Sequence, residues 1–586
     1  MFYRALTDNQ TRRMRRARPV IALAGVAFAI GAIVGANHGS SAANTLAGRF
    51  AAAWARGDYT TMYADIDAAS QRRISASEFS AAYQGALRTA TSTGRQVMGK
   101  PRGAPGGVVT VPVRVQTRLF GTLTLSFRLR VLNGSEHPVI AWSRSLSFPG
   151  MLPGETLTRR TTLPRRATLL ARDGSILAEG SATEAGQRSS PLGETAGAVL
   201  GEVGPAPAER RQALESEGVP TDAIVGTSGL ERALDARLRG TPGGELLAGR
   251  RVLATAEPHS APAVHTTISP AVQRAAVGAL GSQLGGVVAM TPASGQILAV
   301  AGIGLNSVQP PGSTFKMITL AGTLAADIAT PHTVFPYATY TTLDGVKLSN
   351  ANGEECGGTL TLAFAVSCNS VFAPLGVKLG APRLVAMAER FGFNKDPGIE
   401  GAAESTLPAG SEIHGELEVG STAIGQGQVQ ASALQMANVA ATIADGGHRP
   451  QPTFTPSPRP VAGVPATSAA VARTVRRLMI EVVRNGTGTS AAIPGVVVAG
   501  KTGTAELKTQ CTSSESESEE SSSQESSGCQ GAESDASNTD AWFAAFAPAL
   551  HPRIVVGVLL VKDGAGGDTA APVARQVLEA GLQASR

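Results

Sequence analysis

A multidomain chain, with mixed α and β domains behind one membrane-spanning helix, is what this sequence predicts, on three observations. Its 586 residues are too many for a single core and comfortable for three folded units. Arg4, Arg12, Arg13, Arg15, Arg16 and Arg18 precede an uncharged run from Pro19 to Ala36. Beyond that run, apolar stretches with helical period alternate with strand-like stretches to the C-terminus.

The elements follow in order. Residues 1–18 read as a cytoplasmic tail and residues 19–36 as a transmembrane anchor. Eighteen helical residues span about 27 Å, enough for a bilayer core. The arginine cluster keeps the N-terminus inside and places the rest of the chain outside. The competing reading is a cleaved signal peptide, for which Ser40-Ser41-Ala42 offers a site. No cysteine follows the apolar run, which argues against a lipoprotein. The net charge of +6 owes much to the arginine cluster. The absence of a basic stripe with interleaved aromatics argues against a nucleic-acid partner.

Residues 45–150 open with a helix-like run, Leu46 to Trp54, followed by Gly57-Asp58-Tyr59. Val108–Val115 and Leu123–Val131 then alternate as strands. Residues 151–265 carry Arg172-Asp173-Gly174-Ser175, Gly226-Thr227-Ser228-Gly229-Leu230-Glu231 and Gly240-Thr241-Pro242-Gly243-Gly244. Residues 266–586 hold the chemistry, interrupted at 508–538 by a Ser/Glu-rich insertion that cannot build an apolar core.

Three strings in this last region point to a serine nucleophile: Ser313-Thr314-Phe315-Lys316, Ser367-Cys368-Asn369 and Lys501-Thr502-Gly503. Each alone arises by chance, but lysine occurs only eight times in the chain and two of the eight fall inside these strings. Pro310-Pro311-Gly312 reads as a turn and Met317–Ala321 as a buried helix, so Ser313 is expected at a helix N-terminus. There the free N–H groups and the helix dipole favour an oxyanion. Lys316, three residues on, shares the face of Ser313. Burial beside Lys501 is expected to favour the neutral amine, which could then take the serine proton without a histidine. Ser367 and Asn369 are expected in a loop between two helices, Ser367 relaying a proton and Asn369 holding the substrate backbone, with Cys368 turned inward. Pro494–Gly500 reads as a strand ending just before Lys501, so that Lys501, Thr502 and Thr504 line one wall suited to a carboxylate. Gly503 has no side chain to block approach. The N–H groups of Ser313 and Thr504 are the expected oxyanion hole.

These strings, with Gly286–Val300, Ala423-Ile424-Gly425-Gln426-Gly427, Leu434–Asn438 and Ala541–Pro548, resemble the transpeptidase domain of class B penicillin-binding proteins from about residue 270 onward. The resemblance implies an α/β fold, with a five-stranded antiparallel sheet flanked by helices, a helical lobe, and the active site between them. Residues 151–265 resemble the pedestal, or dimerisation, domain of that class. The cluster Trp54, Gly57, Asp58, Tyr59 and Tyr63, with the helices-then-sheet order, resembles the nuclear-transport-factor-2-like domain of low-affinity, resistance-type members.

The resemblance implies a D,D-transpeptidase in the bacterial cell membrane, single-pass, with its catalytic domains extracytoplasmic. It would use donor and acceptor stem peptides of peptidoglycan, and β-lactams would acylate Ser313. No metal or organic cofactor is expected. A separate glycan-strand polymerase is the expected partner. The alternatives are a D,D-carboxypeptidase or β-lactamase, and a non-catalytic β-lactam receptor or divisome scaffold. Four cysteines allow three pairings; Cys356 with Cys368 and Cys511 with Cys529 is the pairing favoured in an oxidising compartment, although Cys368 also reads as a buried free thiol.

Overall fold

The computed structural model describes residues 42–584, apart from 105, 133–136, 181–184, 458–460, 507–508, 511–529 and 532–537. The expected anchor at 19–36, Cys511, Cys529 and most of the acidic insertion lie outside the described residues. Among the described residues no single helix is long and apolar enough to cross a membrane. The chain forms two compact units. The first holds residues up to Pro164 with 207–223 and 240–260; the second holds 165–206, 224–239 and 261 onward. Residues 151–265, expected as a pedestal, are thus shared between the two units.

In the first unit, α1 (Ala42–Arg56) buries Leu46, Phe50 and Trp54 at four-residue spacing. Helices α2 (Tyr59–Ala64), α3 (Ala68–Arg73) and α4 (Ala76–Thr89) follow, capped by the side chains of Asp58, Asp67 and Ser75. These carboxylates and the hydroxyl satisfy N–H groups that a helix start leaves free. The sheet contains β1 (Ser92–Val97), β2 (Arg102–Ala104), β3 (Val108–Thr117), β4 (Thr122–Leu132) and β5 (Val139–Ile140). In β3, Val109, Val111, Val113 and Val115 are all buried. Phe127 of β4 meets Trp54 edge-on at 5.0 Å. Period-2 burial along β3 and a four-residue stripe on α1 place one helix against one sheet face.

The second unit is built on helix α5 (Pro270–Leu280) and the hairpin β6 (Gly285–Met290) and β7 (Ile297–Gly302). Helix α6 (Lys316–Ala325) comes next. Four short strands follow: β8 (Val334–Ala338), β9 (Tyr340–Leu343), β10 (Val346–Ser349) and β11 (Cys356–Thr359). Then come α7 (Leu360–Ala365), α8 (Asn369–Leu379), α9 (Ala381–Arg390), α10 (Ala433–Ala444) and α11 (Ala469–Asn485). The chain ends with β12 (Ala499–Glu506), β13 (Thr539–Ala547), β14 (Ile554–Leu560) and α12 (Ala570–Ala584).

The main sheet has the order β7-β6-β14-β13-β12, and every pairing is antiparallel. Every residue of β13 and β14 is buried, which explains their continuous apolar runs: both faces of these strands are covered. Val272, Ala276, Val577 and Leu578 of α5 and α12 share a core with one face. All twelve residues of α10 are buried. Trp542 and Phe546 of β13 join them in the core that also holds α6 to α9. The polar side chains of α10 are buried with the rest, Gln435 donating to the Phe391 carbonyl and Thr442 to the Asn438 carbonyl.

A buried ion network also lies in the second unit. Arg166 and Arg188 reach the two oxygens of Glu231, at 2.7 and 2.8 Å. Arg166 and Arg239 reach Asp235, at 2.8 and 3.1 Å.

Candidate active site

The three strings converge. Ser313 lies in a 3-10 turn, Gly312–Phe315, that runs directly into α6. One turn later Lys316 places Nζ 2.9 Å from Ser313 Oγ. Ser367 and Asn369 flank Cys368 in the connection from α7 to α8. Lys316 Nζ donates to Asn369 Oδ1 at 2.6 Å and to the Ser367 carbonyl at 2.6 Å, and lies 3.4 Å from Ser367 Oγ. From the opposite wall, Lys501 Nζ donates to Ser367 Oγ at 2.8 Å and to the Thr502 carbonyl at 3.0 Å. Ser367 therefore stands between the two lysines.

Ser367 achieves this through a backbone φ of +63°, a left-handed conformation that few non-glycine residues adopt. Its carbonyl and hydroxyl then reach the two lysine Nζ atoms, so the strained residue is one whose oxygens both work in the site.

Lys316 and Lys501 are both fully buried. Burial lowers the pKa of Lys501 to about 7, because the dry surroundings penalise its charge. No ion pair with a carboxylate offsets this among the described residues. The ring of Phe364 lies 5.5 Å from Lys501 Nζ, and that of Phe372 lies 5.8 Å from Lys316 Nζ.

The structure corrects one expectation about the third string. The strand does not end before Lys501: it begins at Ala499, and Lys501 to Thr504 lie inside it. The run Pro494–Val498 is valine-rich, but the pairing register starts with Ala499 opposite Phe546 and continues through Gly503 opposite Trp542. As the sheet's edge strand, β12 turns its free side to the serine turn. The fit is close. A β-carbon on Gly503 would stand 2.7 Å from the Pro311 oxygen, and one on Gly312 would stand 2.6 Å from the Thr504 oxygen. Gly312 also has a φ of +51° and donates its N–H to the Gly425 carbonyl at 2.9 Å. These contacts bring the backbones of Ser313 and Thr504 side by side.

Asn369 is held at both ends of its amide, Oδ1 by Lys316 and Nδ2 by the Ser349 carbonyl at 2.9 Å, which uses one of its two N–H donors. Cys368 is buried and bonded to Cys356, with sulfurs 2.09 Å apart. Sequence reasoning missed Thr487, whose hydroxyl meets that of Thr502 at 2.6 Å. The turn Asn485-Gly486-Thr487-Gly488 was a visible loop signal, but nothing in it announced a neighbour fifteen residues on. It also missed the Gly566 N–H, 3.4 Å from Thr504 Oγ1.

Comparison with known proteins agrees with this geometry. Residues 285–579, half of the chain, match the penicillin binding protein transpeptidase domain. The chain belongs to the penicillin-binding protein transpeptidase family. Residues 181–251 match the penicillin-binding protein dimerisation domain, and residues 42–155 match the NTF2-like N-terminal transpeptidase domain. A relative named peptidoglycan D,D-transpeptidase PbpA, from Mycolicibacterium smegmatis, is 33% identical over 424 residues, 61% of this chain and 80% of the relative. Among solved structures, the D,D-transpeptidase domain of a peptidoglycan glycosyltransferase from Eggerthella lenta aligns with a TM-score of 0.55 and 30% identity. That alignment covers 72% of this chain and 98% of the other. Penicillin-binding protein A from Mycobacterium tuberculosis, solved as a ceftriaxone acyl-enzyme complex, aligns with a TM-score of 0.54 and 28% identity over 72% and 98% of the two chains.

Proposed function

We propose that this penicillin-binding protein is a serine-type D,D-transpeptidase that cross-links peptidoglycan stem peptides through an acyl ester on Ser313. The observation that carries the reading is the hydrogen-bond set of Lys316 Nζ. A neutral amine has two N–H donors and one lone pair. The Ser367 carbonyl and Asn369 Oδ1, each at 2.6 Å, take the two donors. The lone pair is then left facing Ser313 Oγ at 2.9 Å, placed to accept its proton.

Ser313 Oγ attacks the carbonyl carbon of the penultimate D-Ala, and its proton passes to Lys316. The N–H groups of Ser313 and Thr504 hold the oxyanion. As the C–N bond breaks, Ser367 Oγ passes a proton to the departing D-Ala amine. An amine on a neighbouring stem peptide then attacks the ester, loses a proton back to the Lys316–Ser367 pair, and releases Ser313. Lys501, Thr502 and Thr504 receive the substrate carboxylate, and Lys501 takes up a proton where it has lost one. A β-lactam enters by the same attack, but its opened ring stays tethered and the ester persists.

The arginine cluster and the uncharged run 19–36 support a single-pass anchor with the catalytic domains outside the bacterial membrane. A glycan-strand polymerase supplies the strands to be joined.

The test is incubation with fluorescent penicillin, peptide mapping by mass spectrometry, and turnover of a thioester stem-peptide mimic. The expected result is a stable adduct on Ser313, absent from Ser313→Ala, with transfer to an added amine. An adduct elsewhere, or rapid release of hydrolysed penicillin, refutes the transpeptidase reading.

A further inference from the structure

The helix that carries Asn369 begins without a cap of its own. The N-cap residue of α8 is Cys368, which provides no side-chain hydrogen bond, since its sulfur is committed to Cys356. A helix start leaves its first N–H groups without partners, and a short polar side chain at the N-cap ordinarily supplies one. Here the partner comes from a distant segment. Asn350, nearly buried at 4% exposure, accepts the Ser370 N–H on Oδ1 at 2.8 Å. Its Nδ2 donates to the Ala338 carbonyl at 2.7 Å and the Glu354 carbonyl at 2.9 Å. Its backbone N–H donates to the Thr339 carbonyl at 2.9 Å. Next to it, the Ser349 carbonyl accepts Asn369 Nδ2 at 2.9 Å.

Two consecutive residues, 349 and 350, therefore grip two consecutive residues of the catalytic loop, 369 and 370. The grip also decides which way the Asn369 amide faces. A carbonyl can only accept, so Ser349 fixes the NH2 end; an ammonium or amine presents N–H, so Lys316 receives the oxygen end. Without the grip the amide is free to rotate, and Lys316 Nζ loses one of the two carbonyl oxygens that aim it at Ser313.

We propose that Asn350 is a positioning residue of the acyl-transfer site: a helix cap supplied from another segment, holding the start of α8 so that Asn369 and Ser367 keep Lys316 aimed at Ser313. It touches neither substrate nor Ser313 and acts through the loop. The proposal rests on the acyl-serine reading of the site.

The test compares three variants of the full-length protein, in detergent, by the rate of adduct formation with fluorescent penicillin and by thermal unfolding. Asn350→Ala is expected to acylate about tenfold more slowly, the effect of one lost cap on the loop that orients the base. Asn350→Asp keeps an acceptor for the Ser370 N–H but loses both donors. It is expected to acylate at close to the wild-type rate while unfolding as early as Asn350→Ala. Asn394→Ala removes a comparable clamp elsewhere in the unit, the paired bonds of Asn394 with Leu407, and is expected to lose stability without losing rate. The proposal is overturned if Asn350→Asp is as slow as Asn350→Ala, or if Asn350→Ala is no slower than Asn394→Ala. Amide hydrogen exchange across residues 367–371 supplies a readout independent of acylation, and faster exchange in Asn350→Ala alone is expected. If the wild-type protein forms no adduct, the acyl-serine reading fails, and the exchange comparison by itself upholds or overturns the role of Asn350.

Discussion

Replacing Lys501 with methionine should change stability by an amount that depends on pH, in a direction fixed by burial. The Lys501 pKa falls from an ordinary 10.5 to about 7 because the side chain is fully buried. At 1.36 kcal/mol per pH unit, that fall corresponds to about 5 kcal/mol against charging the buried amine. Below pH 7 the folded and unfolded chains both hold the proton, so the folded protein carries the whole penalty. Between pH 7 and pH 10.5 the unfolded chain keeps a proton that the folded chain has released. Stability of the wild type therefore rises with pH across that window.

Lys501→Met has no proton to lose. Its lost hydrogen bonds to Ser367 and Thr502 add an offset that does not vary with pH. The stability difference, variant minus wild type, should thus fall by about 2.7 kcal/mol between pH 6 and pH 9. Trp542 is the only tryptophan of the second unit, and it pairs with Gly503 across β12 and β13. With Trp54 and Trp142 replaced by phenylalanine, urea unfolding followed by Trp542 fluorescence gives the difference at each pH. A difference, variant minus wild type, that stays constant from pH 6 to pH 9, or that rises with pH, would refute the argument that burial holds Lys501 near neutrality.

Two further outcomes follow from close packing and from buried charge. Gly503→Ala should slow acylation at least tenfold, because the new methyl stands 2.7 Å from the Pro311 oxygen and 2.9 Å from the Trp542 β-carbon, and a shift of about 1 Å in a catalytic wall is that costly. Normal acylation by this variant would show that β12 need not approach the serine turn. Glu231→Ala should destabilise the second unit by about 3–5 kcal/mol in urea unfolding, since it takes the carboxylate from the buried Arg188 and leaves Arg166 only Asp235. A loss under about 1 kcal/mol would mean that solvent reaches those arginines.

Much of the site was legible because its chemistry is local in sequence. Ser313 and Lys316 must lie on one helical face at a three-residue spacing, whatever surrounds them. Ser367 and Asn369 sit between two apolar runs, so a helix–loop–helix connection was readable from pattern alone. The first unit was legible for a similar reason: alternation in Val108–Val115 and the stripe Leu46, Phe50 and Trp54 each encode one buried face. The strand at Lys501 was misread because valines at 496–498 have high strand propensity. Which residues join the sheet is decided by hydrogen-bonding partners, and those partners lie forty residues on, in β13. The protein partner of the Asn369 amide was not readable for a related reason: nothing near residue 369 announces the Ser349 carbonyl.

The sequence by itself determined the pairing of Ser313 with Lys316, the helix–loop–helix of the second string and the order of the domains, because these depend on spacing along one chain segment. Only the tertiary structure decided the left-handed turn at Ser367, the cap that Asn350 lends to α8, and the fully buried setting of Lys501. Each of these depends on atoms brought together from distant parts of the chain. Hydrogen-bond direction and desolvation act over a few ångströms of space, and the linear distance between residues carries no record of them.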